Sequence, residues 1–299
     1  MLYPSRLKQS GGGTGGTEVY IDGVKSSASR VDLDGLTKLP CLFDYSGAVV
    51  VYNNEIHILG GETPYTQHFK WDGNTWSSVS TLPYAFRNGA VVVYNNEIHI
   101  FGGTTQPYTQ HYKWNGSSWS SVSTLPYVFY NGVAIVYNNE IHLMGAEQAG
   151  RYRNHYKWNG SSWSSVSTLP YDFYSGASVV YNNELHLLGG GGNDTHRNHY
   201  KWDGSSWSSV STLPCSVHSY SSAVVFKDEI HILNGSLGDG YFLHYKKNGD
   251  SWERMDDLLL LHGLRTSVIF DSLLCLVGGN AFAPYIEIVD KPIKAVTIV

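Results

Sequence analysis

The segment HYKWNGSSWSSVSTLPY occurs word for word at His111 and again at His155. Close variants begin at His68 (HFKWDGNTWSSVSTLPY) and His199 (HYKWDGSSWSSVSTLPC). Repetition this close constrains the fold more than any other feature. Each copy must take the same local structure, and copies too small to enclose a core must bury their apolar residues against one another. The His of NNEIHILGG marks the period: His57, His99, His142, His186 and His231, with Cys275 sixth, at intervals of 42–45 residues. The Trp of KW[DN]G is a second marker (Trp71, Trp114, Trp158, Trp202), replaced by Lys247 in the fifth copy. A further Trp stands five residues on in all five copies: Trp76, Trp119, Trp163, Trp207 and Trp252.

Each copy reads as four short strands. GAVVVY is apolar and β-branched, EIHILGG follows it, and an NN pair between them suits a tight hairpin turn because Asn tolerates positive φ. HYKW and SWSSVS come next, joined by NG or DG, the strongest short hairpin signal. No stretch of useful length carries helical periodicity. Four antiparallel strands per unit of this length, repeated in series, predict an all-β propeller of four-stranded antiparallel blades.

A hairpin ending in Gly-Gly, followed by an aromatic residue and then a Trp, resembles the Kelch-repeat family. The doublets are Gly60-Gly61, Gly102-Gly103, Gly189-Gly190 and Gly278-Gly279, and the aromatics are Phe69, Tyr112, Tyr156, Tyr200 and Tyr245. Gly145-Ala146 and Asn234-Gly235 depart from the doublet, and His replaces the residue more usual in the second strand. The resemblance covers about residues 40–290 and implies a six-bladed Kelch-type propeller. The ring has to close, since an open sheet exposes unpaired edges. Aligning RVDLDGLTKLP with NTWSSVSTLP through Pro40 and Pro83 puts Leu33 at the Trp76 position, so residues 31–33 are expected to complete blade six. Residues 25–290 then form the propeller, residues 1–24 a Gly-rich N-terminal arm, and residues 291–299 a C-terminal tail.

Repetition fails in one place. From the marker His to the first Trp position the count rises from 14 to 16, whereas from there to the next marker it stays at 28 or 29. Nearly all length variation therefore falls between strands two and three. In a four-stranded meander that connection emerges on the same face as the blade-to-blade loop. This face is the expected binding surface, offering Tyr45, Tyr65, Arg87, Tyr108, Tyr130, Arg151, Tyr152, Arg153, Tyr174, His196, Arg197, His218, Tyr220 and Tyr241. Tyr and Arg supply much of the energy at recognition surfaces, and loops on a rigid scaffold are where function resides. Amphipathic rings beside Asn, Gln and Ser also suit sugars.

Other residues that invite chemistry read as scaffold. Five His pairs recur (His57/His68, His99/His111, His142/His155, His186/His199, His231/His244), but a zinc site needs three or four converging ligands. Each pair belongs to its own unit, so no metal or cofactor is expected, and the His are read as core residues bonded to neighbouring backbone. The Trp pairs read as packing between blades. GGGTGGTE lacks the Lys-Ser/Thr of a phosphate-binding loop, and no Ser is framed as a hydrolase nucleophile.

Composition narrows the partners. Net charge is −5 and only 15% of residues are charged, with no Lys/Arg run dense enough to follow phosphates, so nucleic acid is not expected. No segment has the apolar length of a membrane span, and the start lacks the apolar core of a secretory signal, which implies synthesis in the cytoplasm. Three cysteines do not make a disulfide framework. Near-perfect repetition favours a non-catalytic binding or structural module, since catalysis concentrates asymmetry at one spot. The arm and tail read as docking elements for a larger assembly, and the combination fits a bacteriophage virion appendage that recognises a cell-surface glycan or protein. Two alternatives come from the resemblance. Six-bladed Kelch-like propellers include sialic acid epimerases, for which Arg87, Arg151, Arg153, Glu147, His196 and His218 would be the candidates. Cytosolic Kelch adaptors form the other class, although no oligomerisation module accompanies the repeats here.

Overall fold

The computed structural model describes residues 19–21, 24–26, 37–41, 43, 46–61, 63–146, 152–192, 195–218, 221–235, 243–255, 265–278 and 285–288. The chain is an all-β propeller. Five blades are each made of four consecutive antiparallel strands. Blade 1 is Ala48–Tyr52, Glu55–Leu59, His68–Trp71 and Trp76–Ser78. Blades 2, 3 and 4 repeat it from Ala90–Tyr94, Val133–Tyr137 and Ala177–Tyr181. Blade 5 begins at Ser222–Phe226 and ends with Ser251–Arg254.

The local rules read from the sequence operate as expected. Tyr52 pairs with Glu55 across a two-residue turn whose Asn53 and Asn54 have φ of 49° and 58°. The same turn recurs with Lys227-Asp228 (51°, 58°) and Asp271-Ser272 (48°, 60°), so its geometry persists where the Asn pair does not. In the second hairpin Trp71 pairs with Trp76, and Asp72 Oδ1 accepts hydrogen bonds from the backbone N–H groups of Asn74 and Thr75, both at 2.8 Å.

A further four-stranded sheet joins the two ends of the chain: Arg265–Phe270, Leu273–Gly278, Tyr285–Ile288 and Thr37–Lys38. Its inner strand lies against the inner strands of both blade 5 and blade 1, which completes the circle. The closing strand is Thr37–Lys38, with Tyr285 opposite Lys38 and Ile286 opposite Thr37. Residues 31–33, expected in that role, lie outside the described residues. In blade 1 the chain past Trp76–Ser78 goes on bonding to the third strand, through Val79 N–H to His68 O (2.8 Å) and Leu82 N–H to Thr66 O (2.9 Å). Thr37–Lys38 falls in that continuation. Ahead of it, Val19–Ile21 and Val24–Ser26 form a separate two-stranded hairpin.

The core lies between blades. Ala48 and Leu59 of blade 1 cluster with Ile100 of blade 2 and with Leu82 and Phe86 of the loop connecting them. Phe86 is fully buried, worth about 2–3 kcal/mol in removed apolar surface. Tyrosine hydroxyls stitch successive seams: Tyr52 donates to Asn96 O at 3.1 Å, Tyr94 to Asn139 O at 3.2 Å, and Tyr137 to Asn183 O at 3.1 Å.

Candidate binding face

In blades 1 to 4 the loop between strands two and three is tied to the following blade-to-blade loop. Phe86 N–H bonds Tyr65 O at 2.8 Å, Phe129 N–H bonds Tyr108 O at 3.0 Å, Phe173 N–H bonds Tyr152 O at 2.9 Å, and Val217 N–H bonds His196 O at 2.8 Å. Tyr65 and Tyr108 reach this geometry with positive φ (62° and 63°), a conformation non-glycine residues rarely adopt. The first glycine of each doublet packs on the same loop: a Cβ on Gly60 would strike the Phe86 carbonyl, and one on Gly102 the Phe129 carbonyl.

This double tie sets side chains from the two loops against each other, at equivalent positions in four successive blades. The Arg87 guanidinium lies over the Tyr65 ring, 4.5 Å from its centroid. Tyr108 and Tyr130 are 6.3 Å apart, inclined at 53°. Tyr152 and Tyr174 are 5.5 Å apart at 45°, and His196 and His218 are 5.2 Å apart at 41°. All eight side chains are half-buried. Burial, and then the neighbouring His196, lowers the His218 pKa. His196 Nε2 lies 3.0 Å from Gly191 O.

Next to the pairs, a chain of backbone hydrogen bonds crosses three seams: Asn88 N–H to Ser46 O at 2.7 Å, Asn131 N–H to Asn88 O at 2.8 Å, and Ser175 N–H to Asn131 O at 2.6 Å. Each of these residues lies just ahead of an innermost strand, so they follow the ring around. Sequence reasoning did not single them out. Their signal is the recurrence of RNG, YNG and YSG, in which the residue after the variable side chain stays small and polar.

Of the expected face residues, Tyr65, Arg87, Tyr108, Tyr130, Tyr152, Tyr174, His196 and His218 are brought together in the four pairs. Arg153 and Arg197 are exposed, but each spends its Nε on a backbone carbonyl, Leu169 O and Leu213 O respectively, both at 2.8 Å. Tyr45, Arg151, Tyr220 and Tyr241 lie outside the described residues, as does Glu147. The pairing itself was not anticipated, although its signature was present: the two members of every pair are separated by 22 residues.

The recurring histidines are buried, and their partners differ from expectation. Each bonds to its repeat-mate, and the expected backbone interaction acts beside that bond at His68 (Ser80), His111 (Ser123) and His186 (Tyr181). Nδ1 of His57, His142, His186 and His231 lies 2.8 Å from Nε2 of His68, His155, His199 and His244, and the His99–His111 distance is 2.9 Å. An imidazole can both donate and accept, so the pair bond satisfies one nitrogen of each ring at sheet positions whose backbone is already paired. Burial pushes His57 down to about 4, with Glu55 opposing the shift, and His68 down to about 3, with His57 adding to it. Among the described residues no group of three or more His, Cys, Asp or Glu is placed to hold a metal ion.

No family model matches the chain, and no curated protein matches it. Among solved structures the chain is similar to YjhT, with a TM-score of 0.71 and 14% identity over 84% of this chain and 94% of that one. At that identity the likeness speaks for the propeller fold alone.

Proposed function

We propose that the chain is a non-catalytic binding module on a six-bladed, Kelch-type ring, in which the composite sheet serves as the sixth blade. The loop face recognises a cell-surface glycan or protein. One observation carries this reading: four pairs held by the same backbone tie, in loops that differ in length, change in identity from Tyr/Arg through two Tyr/Tyr to His/His. Stacking and cation–π contacts of this kind contribute about 0.5–1.5 kcal/mol each and hold the rings rigid, which lowers the entropy lost on binding. Half-buried rings beside Asn88 and Asn131 offer a sugar an apolar platform and amide partners together. The Gly-rich residues 1–16 would dock the module into a larger body, for which a bacteriophage virion is the best fit to an unbroken repeat with a variable recognition face.

The test is a glycan array and a cell-envelope pull-down with the full chain. Tyr130→Ala and Tyr174→Ala remove rings but no backbone tie, so the fold should survive while affinity drops about tenfold for each hot-spot ring. Binding unchanged in the double variant would discard the face. Removing residues 1–16 should abolish incorporation into a particle and leave ligand binding intact.

A further inference from the structure

We propose that the five histidine pairs make the ring a proton-operated latch, closed while the pairs are neutral and opened in acid along the seams between blades. The pairs are placed for it. His68 of blade 1 meets Trp114 of blade 2 edge-on at 5.4 Å and lies 5.7 Å from Trp119. His111 meets Trp158 and Trp163 of blade 3 at 5.4 and 5.8 Å, and His155 meets Trp202 and Trp207 of blade 4 at 5.6 and 5.7 Å. The pairs of blades 1, 2 and 3 are therefore polar seam fillings pressed against two indoles of the next blade, and His199 of blade 4 lies 6.2 Å from Trp252 of blade 5.

One N–H···N bond holds a neutral or singly protonated pair. Two protons leave donors facing each other with no acceptor, and like charges in contact, so the pair must separate to be hydrated. Compensation at hand is small. The Glu two residues before each first histidine favours its charge, but that carboxylate already holds a lysine. Glu55 is 3.9 Å from His57 Nε2 and 2.9 Å from Lys70 Nζ, and Glu97–Lys113, Glu140–Lys157, Glu184–Lys201 and Glu229–Lys246 repeat the arrangement at 2.8–3.3 Å. The indoles opposite carry no charge.

One seam differs. Where blades 2, 3 and 4 present Trp114, Trp158 and Trp202, blade 5 presents Lys247, buried, with its ammonium on Gly249 O. This cation disfavours protons on both His186 and His199. The seam between blades 4 and 5 thus holds a buried cation beside its pair, which adds to the like charge that acid brings there.

The direction follows from burial. His57, His99, His142 and His186 are lowered to about 4 and His68, His111, His155 and His199 to about 3, so these pairs bind protons more weakly folded than unfolded, and their contribution is complete above the ordinary value of 6.5 and is lost as pH falls from there towards about 3. The hydrogen bonds from Asn131 to Asn88 and from Ser175 to Asn131 cross the same seams, so opening would also disorder the loop face. That consequence rests on the binding reading above, whereas the opening itself does not and is tested without any ligand.

The experiment is a pH titration of the full chain from 8 to 3, followed by tryptophan fluorescence, which reports the seams, and by far-ultraviolet circular dichroism, which reports the strands. Fluorescence should change reversibly between about pH 6 and 3 while the strand signal persists. Lys247→Trp restores the residue of the other blades and should move the fluorescence midpoint down by about half a pH unit. His57→Cys with His68→Ile installs what the composite sheet carries at those register positions, Cys275 and Ile286, and should lower the number of protons taken up across the transition. A midpoint unmoved by Lys247→Trp, or strand signal lost together with fluorescence, would overturn the latch.

Discussion

Gly102 shows how much of the repeat is imposed by close approach of backbones. Its φ is +56°, and a Cβ there would meet the Phe129 carbonyl oxygen. Gly102→Ala should lower stability by about 2–4 kcal/mol in urea unfolding, since both the conformation and the contact are lost. Gly192 has no atom within 4 Å of its Cβ position and no positive φ, so Gly192→Ala should fall within about 0.5 kcal/mol of the parent. In the sequence Gly189, the counterpart of Gly102 in blade 4, stands in one run with Gly192, GGGG at 189–192, and the two look alike. The glycine motif was therefore readable, but which of its members the fold requires was not, because the obstructing carbonyl belongs to a loop far along the chain. The same holds for the binding face: Tyr65 and Tyr108 were identifiable as exposed-loop tyrosines, whereas their partners depend on two loops folding together.

Between elements, polar contacts of similar appearance differ in worth. Lys113 and Glu97 form an ion pair at 2.9 Å with the lysine about one-third exposed, so solvent screens it and Lys113→Met should change stability by no more than about 0.5 kcal/mol. The Tyr94 hydroxyl instead crosses the seam to Asn139 O, and Tyr94→Phe should cost about 1 kcal/mol, measured by thermal unfolding of the two variants side by side. Strands and turns were legible almost throughout, because alternation, NN and [ND]G act within a few residues. The His–His bonds were not. Register places His57 opposite Lys70 and His68 opposite Leu59, so the two imidazoles meet only diagonally, and a list of strands does not reveal a diagonal contact.

At the scale of the whole molecule, the closing sheet decides what the N-terminal segment does. Two roles meet there, the docking proposed for the Gly-rich residues and the pairing of Thr37–Lys38 with Tyr285–Ile286, and truncation separates them. A chain starting after residue 16 keeps the closing strand and should unfold at the parent temperature. A chain starting at Leu39 leaves Tyr285–Ile288 as an unpaired edge, a template for pairing with another molecule. It should unfold several degrees lower and elute from size exclusion as concentration-dependent oligomers. If both truncations behaved alike, Thr37–Lys38 would not be what secures the ring, and closure would rest on the inner strand Arg265–Phe270, which already contacts the inner strand of blade 1.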